Sequence, residues 1–412
     1  MVAQSIGLLS CFADFYGQMS INGDARNILT DLLTKTIELG GSDLHLRVDS
    51  PPQVRIHGKL GTLEGYPALG PEDAKTLAYS FLSDQQKKVF EEKREIDFSI
   101  GLEGVSRFRV NIFNQKETIG GVFRAIPYLI RTFEELHLPP VVAELCRKPR
   151  GLVLVTGPTG SGKSTTLATM IDRINLTRHE HILTIEDPIE FLHTHKNCVV
   201  SQRELGTDTD SFADALRSGL RQDPDVVLVG EMRDLDTIEM ALRVAETGHL
   251  TLATLHTNTA ASTITRVIDV FPAVQQPQIR TQLSNVLEGI LCQALLPNST
   301  GDGRVMAMEI LIPNSAVRNL IREDKIHQIY SMMQTGNDKY GMQTLNQSLA
   351  ALYRSRQITL ETAVAISSNE QELLDLVGRG RAGTFATGAA TGGVRSEAGG
   401  VRPNIRPRGQ GQ

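Results

Sequence analysis

Gly151-Leu-Val-Leu-Val-Thr-Gly157-Pro-Thr-Gly-Ser-Gly-Lys163-Ser164-Thr165 is the stretch that decides the fold. Residues 152–156 form an apolar run of the kind that is buried on both faces of a parallel sheet. Gly157, Pro158, Thr159, Gly160, Ser161, Gly162, Lys163 and Ser164 then satisfy GxxxxGK[ST], and a helical pattern opens near Lys163. Strand, glycine-rich loop and helix in that order set backbone N–H groups around an anion at the positive end of a helix. In such a loop the lysine reaches the β- and γ-phosphates and the Ser164 hydroxyl ligates Mg²⁺. ATP and Mg²⁺ are therefore the expected ligands, with Gly157 to Thr165 as their cradle.

Working outward, comparable apolar runs occur at 182–185, Val226–Val229 and 250–254, with helical patterns at 211–221 and 236–246 between them. Ser211 and Asp214 have the spacing of a capping box. Alternation of strands and helices predicts an α/β fold with a mostly parallel sheet. Upstream, Ile28, Leu32, Leu33 and Ile37 give helical spacing up to Gly40-Gly41. Strand-like pieces follow at 44–48, 53–57, 98–100, 106–113 and 118–125, with a helical stretch over 71–91. This reads as a smaller α+β domain, left through a proline-bearing linker over 126–138. Beyond Val274 the pattern reads as all-helical to about Leu376. From Gly378 the chain is rich in Gly, Ala and Arg and too poor in large apolar residues to form a core, so disorder is expected. The expected division is an extension over 1–25, domains over 26–132 and 133–376, and a tail over 377–412.

Composition narrows the function classes. Across 412 residues the formal net charge is −5, which gives no global reason to expect nucleic acid or a membrane surface as a direct partner. The four cysteines form no CxxC pair, so neither a zinc element nor a disulfide framework is indicated. No apolar run approaches the roughly 20 residues of a membrane-spanning helix. A cytoplasmic protein is expected, touching membranes only peripherally.

Three further segments fall where loops should leave the carboxyl ends of strands, which is where ligands bind in such sheets. Ile185-Glu-Asp-Pro-Ile-Glu190-Phe191 packs Glu186, Asp187 and Glu190 into five residues. One of these acids could orient the attacking water while another supports the metal. Glu231, just past Val226–Val229, suits a Walker-B carboxylate that holds Mg²⁺ through water. His256, among Thr254, Thr257 and Asn258, suits a sensor of the γ-phosphate, while His249 is as readily a structural histidine. Arg107, Arg109 and Arg124 lie on strands of the first domain and are candidates for cations given to a neighbouring subunit's nucleotide.

In this order and spacing, the phosphate loop, the acidic box, Leu220-Arg-Gln-Asp-Pro-Asp-Val-Val-Leu-Val-Gly-Glu-Met-Arg-Asp234 and the histidine box resemble the secretion ATPase superfamily of type II secretion and type IV pilus motors. Gly41-Ser-Asp-Leu-His-Leu-Arg47 and Ser106-Arg-Phe-Arg-Val-Asn111 extend the resemblance into the first domain, so that it spans roughly 25–370. Ala316-Val-Arg-Asn-Leu-Ile-Arg-Glu323 is similar to a motif of the pilus retraction branch, and the tetracysteine element of the assembly and secretion branches is missing. The resemblance implies a RecA-like ATPase domain with a PAS-like N-terminal domain, assembled as a homo-hexamer at an inner-membrane pilus platform protein. It implies Glu190 as catalytic base (Glu186 less so), Glu231 in the Walker-B role, His249 and His256 in the histidine box, and Lys163 at the phosphates. Arg107, Arg109 and Arg124, with Arg266 behind them, would be the cations that reach nucleotide. The activity implied is ATP hydrolysis powering pilus retraction. An accessory retraction motor (a second ATPase working beside the first), an assembly or secretion ATPase, and an ATP-binding regulatory protein stay open as alternatives.

Overall fold

The computed structural model describes residues 25–56, 58–126, 129–301 and 303–385. The expected extension lies outside these residues up to Asp24, as does the tail beyond Phe385. The chain opens with α1 (Ala25–Glu38), β1 (Asp43–Leu46), β2 (Gln53–Ile56) and β3 (Lys59–Thr62). It continues through α2 (Pro71–Tyr79), α3 (Asp84–Lys93), β4 (Glu95–Leu102), β5 (Ser106–Gln115) and β6 (Thr118–Ile126). The strands form one six-stranded sheet in the order β3-β2-β1-β6-β5-β4, antiparallel throughout. The helical stretch expected over 71–91 is two helices, because Ser83 caps the second by accepting from the Gln86 amide.

Strand β5 shows what holds this half together. Phe108, Val110 and Ile112 alternate into a core with Leu29, Leu32 and Leu33 of α1. Arg107, Arg109 and Asn111 then necessarily project from the opposite face. Phe108 and Phe123 are fully buried, and trimming such a phenylalanine to alanine typically costs about 3–5 kcal/mol.

The second sheet is built from β7 (Gly151–Thr156), β8 (His181–Glu186), β9 (Val199–Glu204), β10 (Val226–Val229), β11 (Leu250–Leu255), β12 (Leu287–Pro297) and β13 (Arg304–Leu311). Its order is β13-β12-β7-β11-β10-β8-β9, and the pairs from β12 to β9 are parallel. The interleaved helices are α4 (Pro140–Cys146), α5 (Lys163–Thr177), α6 (Phe212–Gly219), α7 (Leu235–Glu246), α8 (Ala260–Asp269) and α9 (Gln276–Val286). Leu152 and Leu154 of β7 enter one core while Val153 and Val155 enter another on the opposite face. Burial on both sides is why these strands read as unbroken apolar runs. The Ser211 hydroxyl accepts from the Asp214 amide at 3.0 Å, so the expected N-cap forms; Asp214 answers to the Ser211 hydroxyl instead of its backbone.

Two expectations are corrected. The region after Val274 is not all-helical, because β12 and β13 extend the parallel sheet beside β7. Leu287–Pro297 is rich in Leu, a good helix former, and lies buried without a period-2 pattern, which hid the strand. The second correction concerns the tail: a helix over Glu370–Phe385 continues past the boundary set at Leu376.

By its contacts the chain divides into two compact units. One holds both sheets and the helices α10 (Ser315–Arg322), α11 (Ile329–Thr335) and α12 (Asn337–Tyr340). The other comprises Pro297–Gly303 and the chain from Asn346, with most of α13 (Leu345–Arg354), α14 (Leu360–Ile366) and α15 (Glu370–Phe385). Asn346 organises that second unit, donating to Asn369 O and Glu372 Oε2 and accepting from Ser367 Oγ.

Candidate nucleotide site

The parallel register brings four loops to one edge of the sheet. Leu255 pairs with Thr156, Val229 with Ala253, and Val229 with Ile185. The segments that follow β7, β11, β10 and β8 therefore emerge side by side. They are the phosphate loop, His256, Glu231 and the acidic box. Together they line a cavity of about 410 Å³ whose walls include Thr159, Gly160, Gly162, Lys163, Ser164, Thr165, Glu186, Glu190, Glu231 and His256.

Backbone geometry at two glycines makes this convergence possible. Gly157 has φ of 138°, and a Cβ there would lie 2.3 Å from Gln293 O of β12. No side chain fits, and φ in that region is open only to glycine. Gly230 lets the β10 loop touch its neighbour, donating to Ile185 O at 2.7 Å where a Cβ would press on Glu186 Cα at 3.1 Å.

The charged groups are joined in a chain. Lys163 Nζ donates to Gly157 O at 2.9 Å and Pro158 O at 3.2 Å, and lies 3.5 Å from His256 Nδ1. His256 Nε2 is 3.2 Å from Glu231 Oε1, and Arg233 Nη2 is 2.7 Å from Glu231 Oε2. Arg233 Nη1 also reaches Asp187 Oδ2 at 3.5 Å. Burial pulls the Lys163 ammonium below the ordinary lysine range, opposed by the charges of Glu231 and Glu190. Burial would lift Glu231, but the Arg233 bond and charge and the His256 contact outweigh it, so its carboxyl lies below the ordinary glutamate range.

The acids of the box differ sharply. Glu186 is buried, and burial raises its pKa against hydrogen bonds from Thr184 Oγ1 at 2.7 Å, the Glu190 amide at 3.3 Å and Gln202 Nε2 at 3.2 Å. Glu190 is exposed and faces the cavity. Ser164, on the first turn of α5, and Glu231 offer oxygen donors of the type Mg²⁺ takes alongside phosphate oxygens. Among the described residues no cluster of three or more His, Cys, Asp and Glu forms a closed metal site. An Mg²⁺ shared with a nucleotide needs only one or two protein oxygens, so these residues fit it.

Not every expected residue arrives. His249 immediately precedes β11, at the end opposite His256, and bonds the C-terminal turn of α7 through Val244 O at 3.0 Å. Arg107 does not reach the cavity; its Nη2 pairs with Glu204 Oε2 at 2.9 Å. Arg124 pairs with Asp43 Oδ1 at 2.7 Å. Arg109 is exposed on the same face and lines a neighbouring cleft that shares Asp187 and Pro188 with the cavity wall. Arg266 is exposed on α8 and is not a wall of the cavity. Conversely, Arg233, Arg304, Leu295 and Gln293 were not singled out. Arg233 sits inside the quoted β10 segment, two residues from Glu231, and that spacing was the available signal. Leu295, Gln293 and Arg304 stand on the strands read as helix.

With that geometry in place, comparison with known proteins is decisive. The profile of a family described as type II/IV secretion system protein matches residues 134–360. The type IV pilus retraction ATPase PilT of Pseudomonas aeruginosa is 52% identical over 81% of this chain and 96% of its own length. The chain belongs to the type II/IV secretion ATPase family. Within this family, the type IV pilus ATPase PilU of Pseudomonas aeruginosa is 41% identical over 83% of this chain and 89% of its own. A crystal structure of the pilus retraction motor PilT with bound ADP is 54% identical, covers 84% of this chain and 98% of its own, and superposes with a TM-score of 0.79. The α/β RecA-like ATPase fold with its N-terminal domain is thus common to the chain and its relatives.

Proposed function

We propose that this chain is the subunit of an ATPase motor that powers type IV pilus retraction, the movement that underlies twitching. The observation that carries the reading is the convergence of Lys163, Ser164, Glu190, Glu231 and His256 on one cavity, in a chain more similar to PilT than to PilU. ATP would lie on the Gly157–Thr165 loop, with Lys163 released from its own loop carbonyls to the β- and γ-phosphates. Bound Mg²⁺, held by Ser164 and through water by Glu231, would supply positive charge to the phosphates. Glu190 is the better placed general base, because Glu186 has its carboxyl oxygens committed to Thr184, Gln202 and the Glu190 amide. His256 would sense the γ-phosphate, and its contact with Glu231 would report that state to the Walker-B carboxylate.

Charge accounting favours a multi-subunit site. Among the described residues, Glu186, Asp187, Glu190 and Glu231 are set against Lys163 and Arg304 in the cavity wall and Arg233 beside it, so the acids still outnumber the cations. In-line attack on a γ-phosphate spreads negative charge that needs further cations. We assign those to Arg109 and Arg124 of an adjoining subunit in a homo-hexamer, with Arg107 the poorer candidate. Cycles of hydrolysis would move residues 26–132 against 133–376 and so turn a platform protein at the cytoplasmic face of the inner membrane. No helix among the described residues is long and apolar enough to cross a membrane, so that attachment would be peripheral, with a second retraction ATPase as a further partner.

The test is Lys163→Ala in the native organism, with surface pili counted by electron microscopy. Cells crowded with pili that no longer shorten are expected. Bald cells would make this an assembly motor, and an unchanged count would remove the primary retraction role.

A further inference from the structure

Strand β9 holds the acidic loop from beneath. Gln202 and Glu204 are two apart and project from the same face of this edge strand. Gln202 accepts from the His193 amide at 2.8 Å and donates to Phe191 O at 2.9 Å and to Glu186 Oε1. Glu204 Oε2 accepts from the Ile189 amide at 3.1 Å, and the Leu205 amide donates to Glu186 O at 2.9 Å. The loop carrying Glu190 is thereby bonded to β9 on either side of that residue.

The Glu204 carboxylate, only 3% exposed, has a second set of partners. Ser99 Oγ of β4 donates to its Oε1 at 2.6 Å, and Arg107 Nη2 of β5 donates to its Oε2 at 2.9 Å. Arg107 also donates to Ser99 Oγ at 2.5 Å, closing a three-membered network. One oxygen, Oε2, therefore joins the first sheet's guanidinium to the Ile189 amide next to Glu190. Charge-assisted bonds of this kind are short and directional. Removing one partner of a buried pair leaves an uncompensated charge that the surroundings must rearrange to satisfy.

We propose that Glu204 is a positioning residue. With Arg107 it ties β4 and β5 to the acidic loop, so that Glu190 takes its working place only while that end of the first sheet is docked on β9. Arg107 then serves the reaction through Glu204, not through the nucleotide. This rests on the reading of Glu190 as the base.

The test uses the purified full chain with E204Q, R107Q, S99A and the double variant E204Q/R107Q. E204Q and R107Q are each expected to lower kcat for ATP by about tenfold or more, the scale set by small misplacements of a catalytic group. Affinity for a fluorescent ATP analogue should change less than about threefold, since only loop placement is lost. The double variant should be no worse than either single one, because both cut the same link. S99A should fall between them and wild type, and R107K, which keeps the charge, should recover part of the loss. Backbone hydrogen exchange over 187–193 should quicken in R107Q as well as in E204Q. Losses that multiply in the double variant, or weakened analogue binding in R107Q alone, would overturn the proposal. So would unchanged exchange over 187–193. Exchange does not depend on turnover, so a wild-type chain that fails to hydrolyse ATP would sink the ATPase reading and still leave this one decided.

Discussion

The two sheets carry arginines and carboxylates in different ways. In the parallel sheet, chemistry gathers at one edge, because parallel strands send every following loop to the same side. Lys163, Glu186, Glu231 and His256 are neighbours although up to 93 residues separate them in sequence. In the antiparallel sheet, chemistry is spread across a face, because alternation sends every second residue of β5 outward. Arg107 and Arg109 share that face, and Arg124 pairs with Arg109 across β6. An edge concentrates a site within one chain; a face offers groups to whatever lies against it. On this view the parallel edge binds and positions the nucleotide, while the antiparallel face completes the charge balance from a neighbour.

The largest expected effect lies on the edge. Lys163→Ala should reduce ATP turnover by about 10³-fold, the upper range for losing one preorganised donor at a developing charge. Steady-state phosphate release measures it, and residual turnover near wild type would dissolve the assignment of the edge to catalysis.

A smaller effect sharpens the electrostatics of that edge. Glu231 has its pKa depressed, with Arg233 and His256 overcoming the cost of burial. A depressed carboxyl stays ionised as pH falls, and its contribution is lost only below the ordinary glutamate range. Arg233→Gln should therefore move the acid limb of the kcat profile to higher pH, leaving the alkaline side in place. A limb that stays put, or moves lower, would mean that Arg233 does not govern Glu231.

The smallest effect marks where the edge stops. His249→Ala should keep turnover within about twofold of wild type, since removing a contact at the far strand end touches no preorganised donor. His256→Ala, just past the other end of β11, should lose much more. Equal losses would break the distinction between the two ends of β11.

Legibility in the sequence followed the same contrast. The strands β7, β8, β10 and β11 were readable because burial on both faces leaves runs such as Val226–Val229, broken in β8 and β11 only by buried threonines. Their loops were readable because glycine, acid and histidine stand directly after those runs. Strand β9 was invisible: four of the six residues of Val199–Glu204 are polar, and two of them, Gln202 and Glu204, are committed to holding a loop. Strands β12 and β13 were hidden by Leu, Ala and Met, which favour helices when nothing local decides. For the arginines, alternation on β5 told which face Arg107 and Arg109 share. It gave no sign that Arg107 has a buried carboxylate 97 residues away while Arg109 has open cleft before it.

Mixing of two inactive subunits tests the division of labour most directly. Lys163→Ala chains lack a working edge but keep the arginine face; chains with Arg109→Ala and Arg124→Ala keep the edge and lack the face. Combined in varied ratios, they should hydrolyse ATP faster than either alone, because some interfaces then join an intact edge to an intact face. No gain at any ratio, with mixed assemblies confirmed by size and labelling, would contradict the claim that the site is completed across subunits.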